Sequence, residues 1–451
     1  MKRAKQLLVL LLLFTWLLPI PIGAASMSSY QDMKRTDWAY SSLQLLTLLQ
    51  VVEGYPDHTF RPDQALSREE WTKLFAVTMK LKDISVREEF RFADLPKSHW
   101  SYPYVMRGYQ YQIIDHLLES RSFQPAKAIE RQEVARMIGG YLLQRVPAVE
   151  RGEWLSKGWK EWWIAHPFTD GEACREEYRP YIAYTASIGM MVGDPDGQFR
   201  PTASLSRREG VALLARMVKK ENEARSLTTS YLQLPNTKLL KLDEDSGIAS
   251  MVIPWSPVEK GPVIQEGLAK QQQQLLVTME TASWNQLLKD AGSKEKVVTS
   301  IKEELQQGAA NWQRILLYLP ADLKQPKSSD LVSLIQELKV KKGSSVIPVD
   351  LILPATWDAK QLEQELKEQV GCFYVYPKGF IWGQGSFALT SWFEGTQQII
   401  HEWTASLTPE KMVLLAPVPN EIALQPSLWK NEWYEAARYY RFQGILWIPL
   451  Y

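Results

Sequence analysis

The chain has 451 residues, of which 45% are hydrophobic and 23% are charged. That much apolar material is enough for the cores of two or more globular domains and argues against a disordered chain. The 52 lysines and arginines balance 51 aspartates and glutamates, so no long-range field attracts a nucleic acid or an anionic bilayer, and we expect neither as a partner.

The first residues have the order of a secretory signal peptide. Lys2 and Arg3 precede an apolar run over 7–18, and small residues follow up to Ala25. The run is shorter than a bilayer-spanning helix requires, and a basic, apolar and small-residue order is typical of a cleaved leader. We therefore expect residues 1–25 to be removed and the protein to be exported without a membrane attachment.

Cysteine and metal-binding patterns are sparse. The two cysteines, Cys174 and Cys372, lie far apart in the chain, which favours two free buried thiols over a disulfide. Neither belongs to a metal-ligand spacing. We expect no metal and no cofactor.

One phrase occurs twice, and a third time in weaker form. Residues 54–70 (GYPDHTFRPDQALSREE) and 193–209 (GDPDGQFRPTASLSRRE) share ten residues in register, and 122–133 (SFQPAKAIERQE) keeps the phenylalanine, a proline and the arginine. Apolar helical patterns flank each phrase, so each repeat predicts a helix, a loop and a second helix. The phenylalanine precedes the arginine by eight residues in all three copies: Phe60 and Arg68, Phe123 and Arg131, Phe199 and Arg207.

The arginine falls at the start of the second helix. Ser67 and Ser206 are predicted to form capping boxes with the glutamates three residues later, which places Arg68 and Arg207 in the first turn. A helix N-terminus offers unpaired N–H groups and positive partial charge, and an arginine there adds a bidentate donor. A single such arginine is best interpreted as solvated surface, but three at a fixed interval favour a carboxylate-binding site.

The repeats resemble S-layer homology domains, which occur in threes. The resemblance rests on a tryptophan in the first helix, a Gly-Tyr-x-Asp-Gly-x-Phe-x-Pro loop and a Ser/Thr-Arg-x-Glu helix start, over 36–82, 90–145 and 166–220. It implies an all-α module of pseudo-three-fold symmetry that binds pyruvylated secondary cell-wall polysaccharide of Gram-positive bacteria, at the cell wall or S-layer. It also implies which side chains contact the ligand: Arg68, Arg131, Arg207, Trp38 and Trp100.

The second repeat departs from that pattern. His116 stands where the loop glycine belongs, and Glu130 replaces the capping serine, which adds a negative charge beside any bound carboxylate. In the third repeat Tyr178 takes the place of the tryptophan. We therefore expect the main grooves around Arg68 and Arg207, with Arg131 mattering less.

The second half of the chain predicts an α/β domain. Residues 221–238 are polar and weakly periodic, which predicts a linker, and over 239–451 strands alternate with amphipathic helices, as in a (β/α)8-like parallel barrel, complete or incomplete. The predicted strands are 248–254, 274–279, 314–319, 345–353, 372–376, 412–418 and 444–449. The predicted helices are 294–307, 328–341, 359–369, 392–405 and 430–441.

This domain resembles glycoside hydrolase family 18, the class of chitinases and spore peptidoglycan hydrolases, over most of 270–451. The similar stretches are KEKVVTSIKEELQQGAANWQRILLYLP, FYVYP, SWFEGTQQIIHEWTASLTPEKMVLLAPV and GILWIPLY. That family has a catalytic strand reading Asp-x-x-Asp-x-Asp-x-Glu, whose glutamate protonates the leaving oxygen. No carboxylate stands at the matching positions here, which are Gln313, Leu316, Tyr318 and Pro320, and Pro377 replaces the aspartate of the sixth strand.

We therefore expect a degenerate, non-catalytic barrel that binds glycan or serves as a structural platform. An active hydrolase of peptidoglycan or a chitin-like glycan is the alternative, and it would need other acids: Glu280, Asp350 or Glu421. Four tryptophans are candidates for stacking on sugar rings: Trp255, Trp357, Trp382 and Trp447. A third interpretation makes the domain a spacer in a surface lattice.

Overall fold

A computed structural model of the chain describes residues 30–82, 90–223, 228–232, 250–257, 273–307, 312–342, 345–378, 380, 389–419 and 426–450. The chain forms two compact units, one of Tyr30–Thr228 with Leu424–Gln443 and one of Thr229–Ala423 with Gly444–Tyr451. We name them the helical unit and the barrel unit. The expected signal peptide lies outside the described residues, and none of the helices in the described part is long and apolar enough to cross a bilayer.

The three repeats form helix pairs in the helical unit, as predicted. The pairs are α1 with α2, α3 with α4, and α7 with α8, while α5 and α6 lie between the second and third repeats and are joined by a π-helical turn. No element was predicted for that stretch. The bounds are α1 Tyr40–Leu48, α2 Arg68–Thr78, α3 Tyr102–Gln110, α4 Arg131–Leu143, α5 Ala148–Glu153, α6 Trp159–Ala165, α7 Arg179–Ser187 and α8 Arg207–Asn222.

The predicted capping boxes determine where α2 and α8 begin. Ser67 Oγ accepts the N–H of Glu70 at 3.2 Å, and Glu70 Oε2 accepts the N–H of Ser67 at 2.8 Å. Ser206 and Glu209 make the same reciprocal bonds at 3.4 and 2.8 Å. Each box satisfies N–H groups that the first helical turn leaves without an acceptor, so both helices begin at the predicted arginine.

An aspartate near the start of each repeat holds the loop of that repeat. Asp32 accepts the N–H groups of Phe60 and Arg61 at 2.8 and 2.7 Å, and Asp94 and Asp170 make the equivalent bonds. The residue after the phenylalanine is left-handed in all three loops, which costs a non-glycine residue energy unless its surroundings fix it. These residues are Arg61, Gln124 and Arg200, with φ of 58°, 55° and 55°.

The repeats are joined by a closed ring of backbone hydrogen bonds. The N–H of Leu66 donates to Leu205 at 2.8 Å, the N–H of Leu205 donates to Ile129 at 3.0 Å, and the N–H of Ile129 donates to Leu66 at 2.9 Å. All three side chains are fully buried. Each repeat therefore contacts both of the others, and buried apolar side chains lie where they meet.

A helix from late in the chain completes the helical unit. α14 (Pro426–Tyr439) belongs to this unit rather than to the barrel, so the helix predicted at 430–441 is confirmed but its assignment to the second domain is wrong. Its end caps two repeat helices: the hydroxyl of Tyr439 donates to the carbonyl of Thr78 at 3.0 Å, and that of Tyr440 donates to Leu49 at 3.1 Å. Carbonyls at helix C-termini need such external donors, which sequence periodicity does not reveal.

The barrel unit is built around a closed parallel sheet in the order β1-β10-β9-β8-β7-β4-β3-β2. The strands are β1 Thr228–Leu232, β2 Ser250–Trp255, β3 Gln273–Val277, β4 Trp312–Tyr318, β7 Val349–Pro354, β8 Phe373–Tyr376, β9 Met412–Pro419 and β10 Gly444–Leu450, with a separate hairpin of β5 Lys341–Lys342 and β6 Ser345–Val346. β1 pairs with β2, so the prediction of a linker over 221–238 is wrong there. The sequence of β1, TTSYL, is polar and did not indicate a strand.

The other predicted strands and helices are confirmed, with bounds that shift by a few residues. The helix predicted at 328–341 ends early because Lys341 pairs with Val346 in the hairpin. The barrel helices are α9 Thr281–Lys289, which was not predicted, α10 Ala291–Gln307, α11 Ser328–Glu337, α12 Gln364–Gln369 and α13 Leu389–Trp403. The curled parallel sheet is that of a TIM-like barrel. The connections β1–β2 and β2–β3 fall largely outside the described residues.

Candidate functional site

Arg68 lies in the interior of the helical unit and is 1% exposed. Its Nη2 donates to Glu133 Oε1 at 2.6 Å, and its Nε lies 3.5 Å from Oε2 of the same carboxylate. Its Nη1 donates to the carbonyls of Leu117 and Phe123 at 3.2 and 3.0 Å. The expectation that Arg68 faces a ligand is therefore not met, because all three guanidinium nitrogens bind the second repeat.

Arg131 occupies the equivalent position at the start of α4, nearer to the surface. Its Nε donates to the carbonyl of Phe199 at 3.0 Å, and its Nη2 to that of Val192 at 3.4 Å. Its Nη1 lies 3.4 Å from Glu209 Oε1, and the two side chains are 12% and 34% exposed. The distance between Arg131 and Glu209 is longer, and their side chains are more exposed, than in the pair of Arg68 with Glu133. The net stabilisation from this ion pair is therefore small.

Arg207, at the start of α8, is half-buried and keeps part of its guanidinium free. Its Nε donates to the carbonyl of Phe60 at 2.8 Å, and its charge lies 5.0 Å from the ring centres of both Tyr55 and Phe60. Within the described part of the chain, its Nη1 and Nη2 meet no carboxylate. Each of the three arginines thus donates to the carbonyl of the equivalent phenylalanine in the next repeat. They differ in how many guanidinium N–H groups remain available to a ligand.

The exposed tryptophans lie beside two of these helix starts. Trp38 is 60% exposed and follows Asp37, whose Oδ2 lies 3.2 Å from Nη1 of Arg208, the residue after Arg207. Trp100 is 49% exposed and precedes Ser101, which donates to Glu69 in the first turn of α2 at 2.8 Å. An aromatic face beside an arginine and a helix N-terminus can stack on a sugar ring while the cations bind its anionic group.

The extra negative charge of the second repeat lies near two cations, one of them in the third repeat. Glu130, which replaces the capping serine, lies 3.6 Å from Arg175 and 4.0 Å from Lys127. His116 is packed edge-on against Tyr178 at 5.3 Å, and its buried Nδ1 has no partner among the residues described. Burial, and next the charge of Arg136, lowers the pKa of His116 to about 3, so the imidazole is neutral.

Tyr178, which replaces the tryptophan in the third repeat, is 2% exposed. Its hydroxyl donates to the carbonyl of His116 at 3.1 Å. It therefore offers no face to a ligand, and the groove at Arg131 lacks the exposed aromatic that the other two helix starts possess.

At the amino ends of the barrel strands, Asp350 is fully buried in a bidentate pair with Arg314, whose Nε and Nη2 lie 2.5 and 2.7 Å from its two oxygens. The N–H of Cys372 donates to the same carboxylate at 2.8 Å. Burial raises the pKa of Asp350 and, despite its own burial, Arg314 has a raised pKa because it bonds Asp350. TIM barrels place chemistry at the other end of the strands, so Asp350 has a structural position and not the catalytic one considered from the sequence.

At the carboxyl ends, aromatic side chains fill the place of the missing acids. Tyr318 stacks on Tyr376 with ring centres 5.4 Å apart, and Tyr376 contacts Phe380 edge-on at 5.7 Å. The Tyr376 hydroxyl donates to the carbonyl of Leu319 at 2.8 Å, next to Pro320. Of the other degenerate positions Leu316 is fully buried, and Gln313 lies near the amino end of β4.

The remaining barrel candidates separate into buried, exposed and undescribed groups. Trp255 and Trp357 are 8% and 6% exposed, and Trp357 Nε1 donates to the carbonyl of Leu323, so neither presents a free face for sugar stacking. Glu280 is exposed just before α9, with Asp322 nearby, bonded to Thr281. The tryptophan at 382, the glutamate at 421 and the side chain of the tryptophan at 447 lie outside the described residues.

The helical unit also contains two contacts between repeats that were not predicted from the sequence. The glutamates two residues after the arginines, Glu133 and Glu209, are the carboxylates that face Arg68 and Arg131. An Arg-x-Glu spacing recurs in all three repeats and was the available signal. Cys174 and Cys372 are both buried and form no disulfide, as expected. No metal-binding group of histidine, cysteine or carboxylate residues occurs in the described part of the chain.

Comparison with known proteins identifies the repeats. The model of the S-layer homology domain matches residues 29–70, 91–135 and 167–209, so the chain contains three S-layer homology repeats. It is similar to an amylopullulanase of Thermoanaerobacterium thermosulfurigenes, at 23% identity over 43% of this chain and 10% of that protein. It is also similar to a cellulosome-anchoring protein of Acetivibrio thermocellus, at 27% identity over 38% of this chain and 35% of that one. The chain thus spans a minor part of either relative.

The barrel unit has a distant structural likeness. The spore cortex-lytic enzyme SleL of Bacillus cereus aligns with a TM-score of 0.36 and 10% identity, over 50% of this chain and 71% of that one. A likeness of this size carries no argument about activity.

Proposed function

We propose that the protein is anchored to the Gram-positive cell surface by its S-layer homology repeats, which bind pyruvylated secondary cell-wall polysaccharide. The observation that carries the proposal is the open guanidinium of Arg207. It lies at the start of a capped helix, where unpaired N–H groups and positive partial charge favour a carboxylate, and Nη1 and Nη2 remain free to bind one. Among the described arginines of the three helix starts, it is the one that no carboxylate has neutralised.

Three further features support this site. Trp38 offers an exposed face beside the same helix start, the ring of backbone bonds between repeats supports an arrangement of pseudo-three-fold symmetry, and a relative that is similar over 38% of this chain is named a cellulosome-anchoring protein. We infer that the ligand lies between the third repeat, which supplies Arg207, and the first, which supplies Trp38 and Tyr55. This replaces the two-groove expectation with one main groove.

The test is binding of the full exported chain to purified wall polysaccharide, with Arg207→Ala compared with Arg200→Ala. Arg200 is a suitable control because it is an exposed arginine of the same repeat, already paired with Asp194 and Asp196. Losing a charged hydrogen-bonded contact costs about 1.5–3 kcal/mol, so Arg207→Ala is expected to weaken binding by roughly 10- to 150-fold. Equal binding by both variants would contradict the proposed groove.

For the barrel unit we propose a role without family 18 chemistry, as a glycan-binding or structural platform. Its support is the aromatic packing of Tyr318 and Tyr376 beside Pro320, where a proton donor would have to stand. The full chain should not release product from a chromogenic chitobioside or from peptidoglycan. Turnover that Glu280→Gln abolishes would instead establish the alternative, an active wall hydrolase.

A further inference from the structure

We infer that the carboxylates of Glu133 and Glu209 act as built-in competitors of the ligand, so that the protein has three related grooves but one open binding site. The inference rests on the proposed function and goes beyond it by assigning a specificity-determining role to Glu209. It predicts the number of ligands bound and a single change that increases that number.

The three grooves form a graded series. Each arginine faces the glutamate two positions after the arginine of the next repeat: Arg68 faces Glu133 at 2.6 Å, and Arg131 faces Glu209 at 3.4 Å. The third relation would join Arg207 to Glu70, and these two side chains make no such contact in the described structure. All three glutamates accept the N–H of the residue that caps their own helix, and Glu70 differs in that it faces no arginine of another repeat among the described residues.

The first groove is closed because its ion pair is buried. The side chains of Arg68 and Glu133 are 2% and 0% exposed. The Nη1 of the arginine also donates to two backbone carbonyls. A ligand carboxylate could reach Arg68 only by displacing Glu133, which would leave that charge buried without a counter-charge and with the N–H of Glu130 as its hydrogen-bond donor. Such a state is strongly unfavourable, so this groove stays closed.

The second groove is closed by charge rather than by burial. Glu209 is 34% exposed and Arg131 is 12% exposed, so a ligand can approach. However, the guanidinium of Arg131 already has an acceptor at each nitrogen. The carboxylate of a ligand would therefore lie beside that of Glu209. Like charges at this separation repel, and removing the charge of Glu209 should therefore open the site.

Glu209→Gln is the matched change. Glutamine fits the third position of a capping box, so the start of α8 is preserved while the charge is lost. The control is Glu70→Gln, the same substitution at the equivalent position of the first repeat, where the carboxylate faces no arginine. A third variant, Arg207→Ala with Glu209→Gln, separates the two sites.

The experiment is calorimetric titration of the full exported chain with a synthetic monosaccharide that bears a pyruvate ketal, using the same sugar without the ketal as a blank. We expect one site in the wild type and in Glu70→Gln, two sites in Glu209→Gln, and one site in the combined variant. Arg207→Ala alone should bind roughly 10- to 150-fold more weakly than the wild type, so that the titration detects no site.

Two or three sites in the wild type, or one site in Glu209→Gln, would overturn the inference while leaving the anchoring proposal intact. A second site in Glu70→Gln would also overturn it, because the effect would then not depend on a facing arginine. Binding by no variant would remove the proposed function and this inference together.

Discussion

The helical unit and the barrel unit each contain a buried arginine–carboxylate pair, but they differ at the surface where a ligand would bind. In the helical unit the buried pair, Arg68 with Glu133, is one of three equivalent positions, and another of these leaves Arg207 open beside an exposed tryptophan. In the barrel unit the pair of Arg314 with Asp350 lies at the amino ends of the strands, and aromatic side chains fill the carboxyl ends. Of the three arginines at equivalent positions, two face a carboxylate of another repeat, and in the described part of the chain Arg207 does not.

Breaking the two buried pairs should give the largest effects and should be felt in different units. Arg68→Ala leaves Glu133 buried and unpaired, and Arg314→Ala does the same to Asp350, so each is expected to lower the free energy of unfolding by about 3–5 kcal/mol. Urea denaturation would measure each loss of stability. Hydrogen exchange would then locate the loss in the helical unit for Arg68→Ala and in the barrel unit for Arg314→Ala.

A replacement of both partners sharpens this prediction. Arg68→Met combined with Glu133→Leu removes the charges together and should recover much of the lost stability, because an apolar pair of similar volume avoids desolvation. A loss below about 1 kcal/mol for Arg68→Ala would mean that the pair is not buried as described.

The assignment of α14 to the helical unit predicts the next largest effect. Trp433 is 2% exposed in α14, and Trp403, 1% exposed in α13, is its counterpart in the barrel unit. Replacing either with alanine should cost about 3–5 kcal/mol. In Trp433→Ala, the amides of α1 and α8 should exchange faster than in the wild type, whereas in Trp403→Ala their exchange should be unchanged. Faster exchange of these amides in Trp403→Ala and not in Trp433→Ala would mean that α14 belongs to the barrel unit.

A smaller effect is expected from pH. The pKa of His116 is lowered to about 3 in the folded protein and returns to about 6.5 on unfolding, so the unfolded chain binds the extra proton below about pH 6.5. Stability should therefore fall as pH decreases from 6.5 towards 3, by up to about 2 kcal/mol at pH 5 from this group.

The His116→Gln variant provides the comparison, since glutamine can donate to the carbonyl of Glu133 that His116 contacts at 3.3 Å. Thermal unfolding of the wild type should lose more stability between pH 7 and pH 5 than that of the variant. Parallel curves for the two proteins would mean that the imidazole titrates normally.

The sequence was sufficient for the elements whose signal is local. Capping boxes at Ser67 and Ser206, the helix pairs of the repeats and seven barrel strands follow from spacing and apolar runs. β1 was missed because Thr228–Leu232 is polar, and its pairing with β2 depends on contacts distant in the chain. The location of α14 could not be predicted either, since an amphipathic pattern does not identify the surface that it covers.

The contacts of the three arginines could be predicted only in part. The interval from phenylalanine to arginine identified the three arginines, and the same carbonyl contact confirms their equivalence. Which of them stays open depends on how Glu133, Glu209 and Glu70 pack across repeat boundaries, and this is a tertiary property. From the sequence we expected the main grooves at both Arg68 and Arg207, and of these two side chains Arg68 is buried.

We propose that the open arginine groove at Arg207 recognises the carboxylate of a pyruvate ketal on wall polysaccharide. The most direct test compares binding of the wild-type chain to purified wall polysaccharide before and after mild acid removes the ketal groups, at constant pH and ionic strength. We predict that binding falls to the level of Arg207→Ala when the ketal is removed. Undiminished binding to the ketal-free polysaccharide would contradict the account.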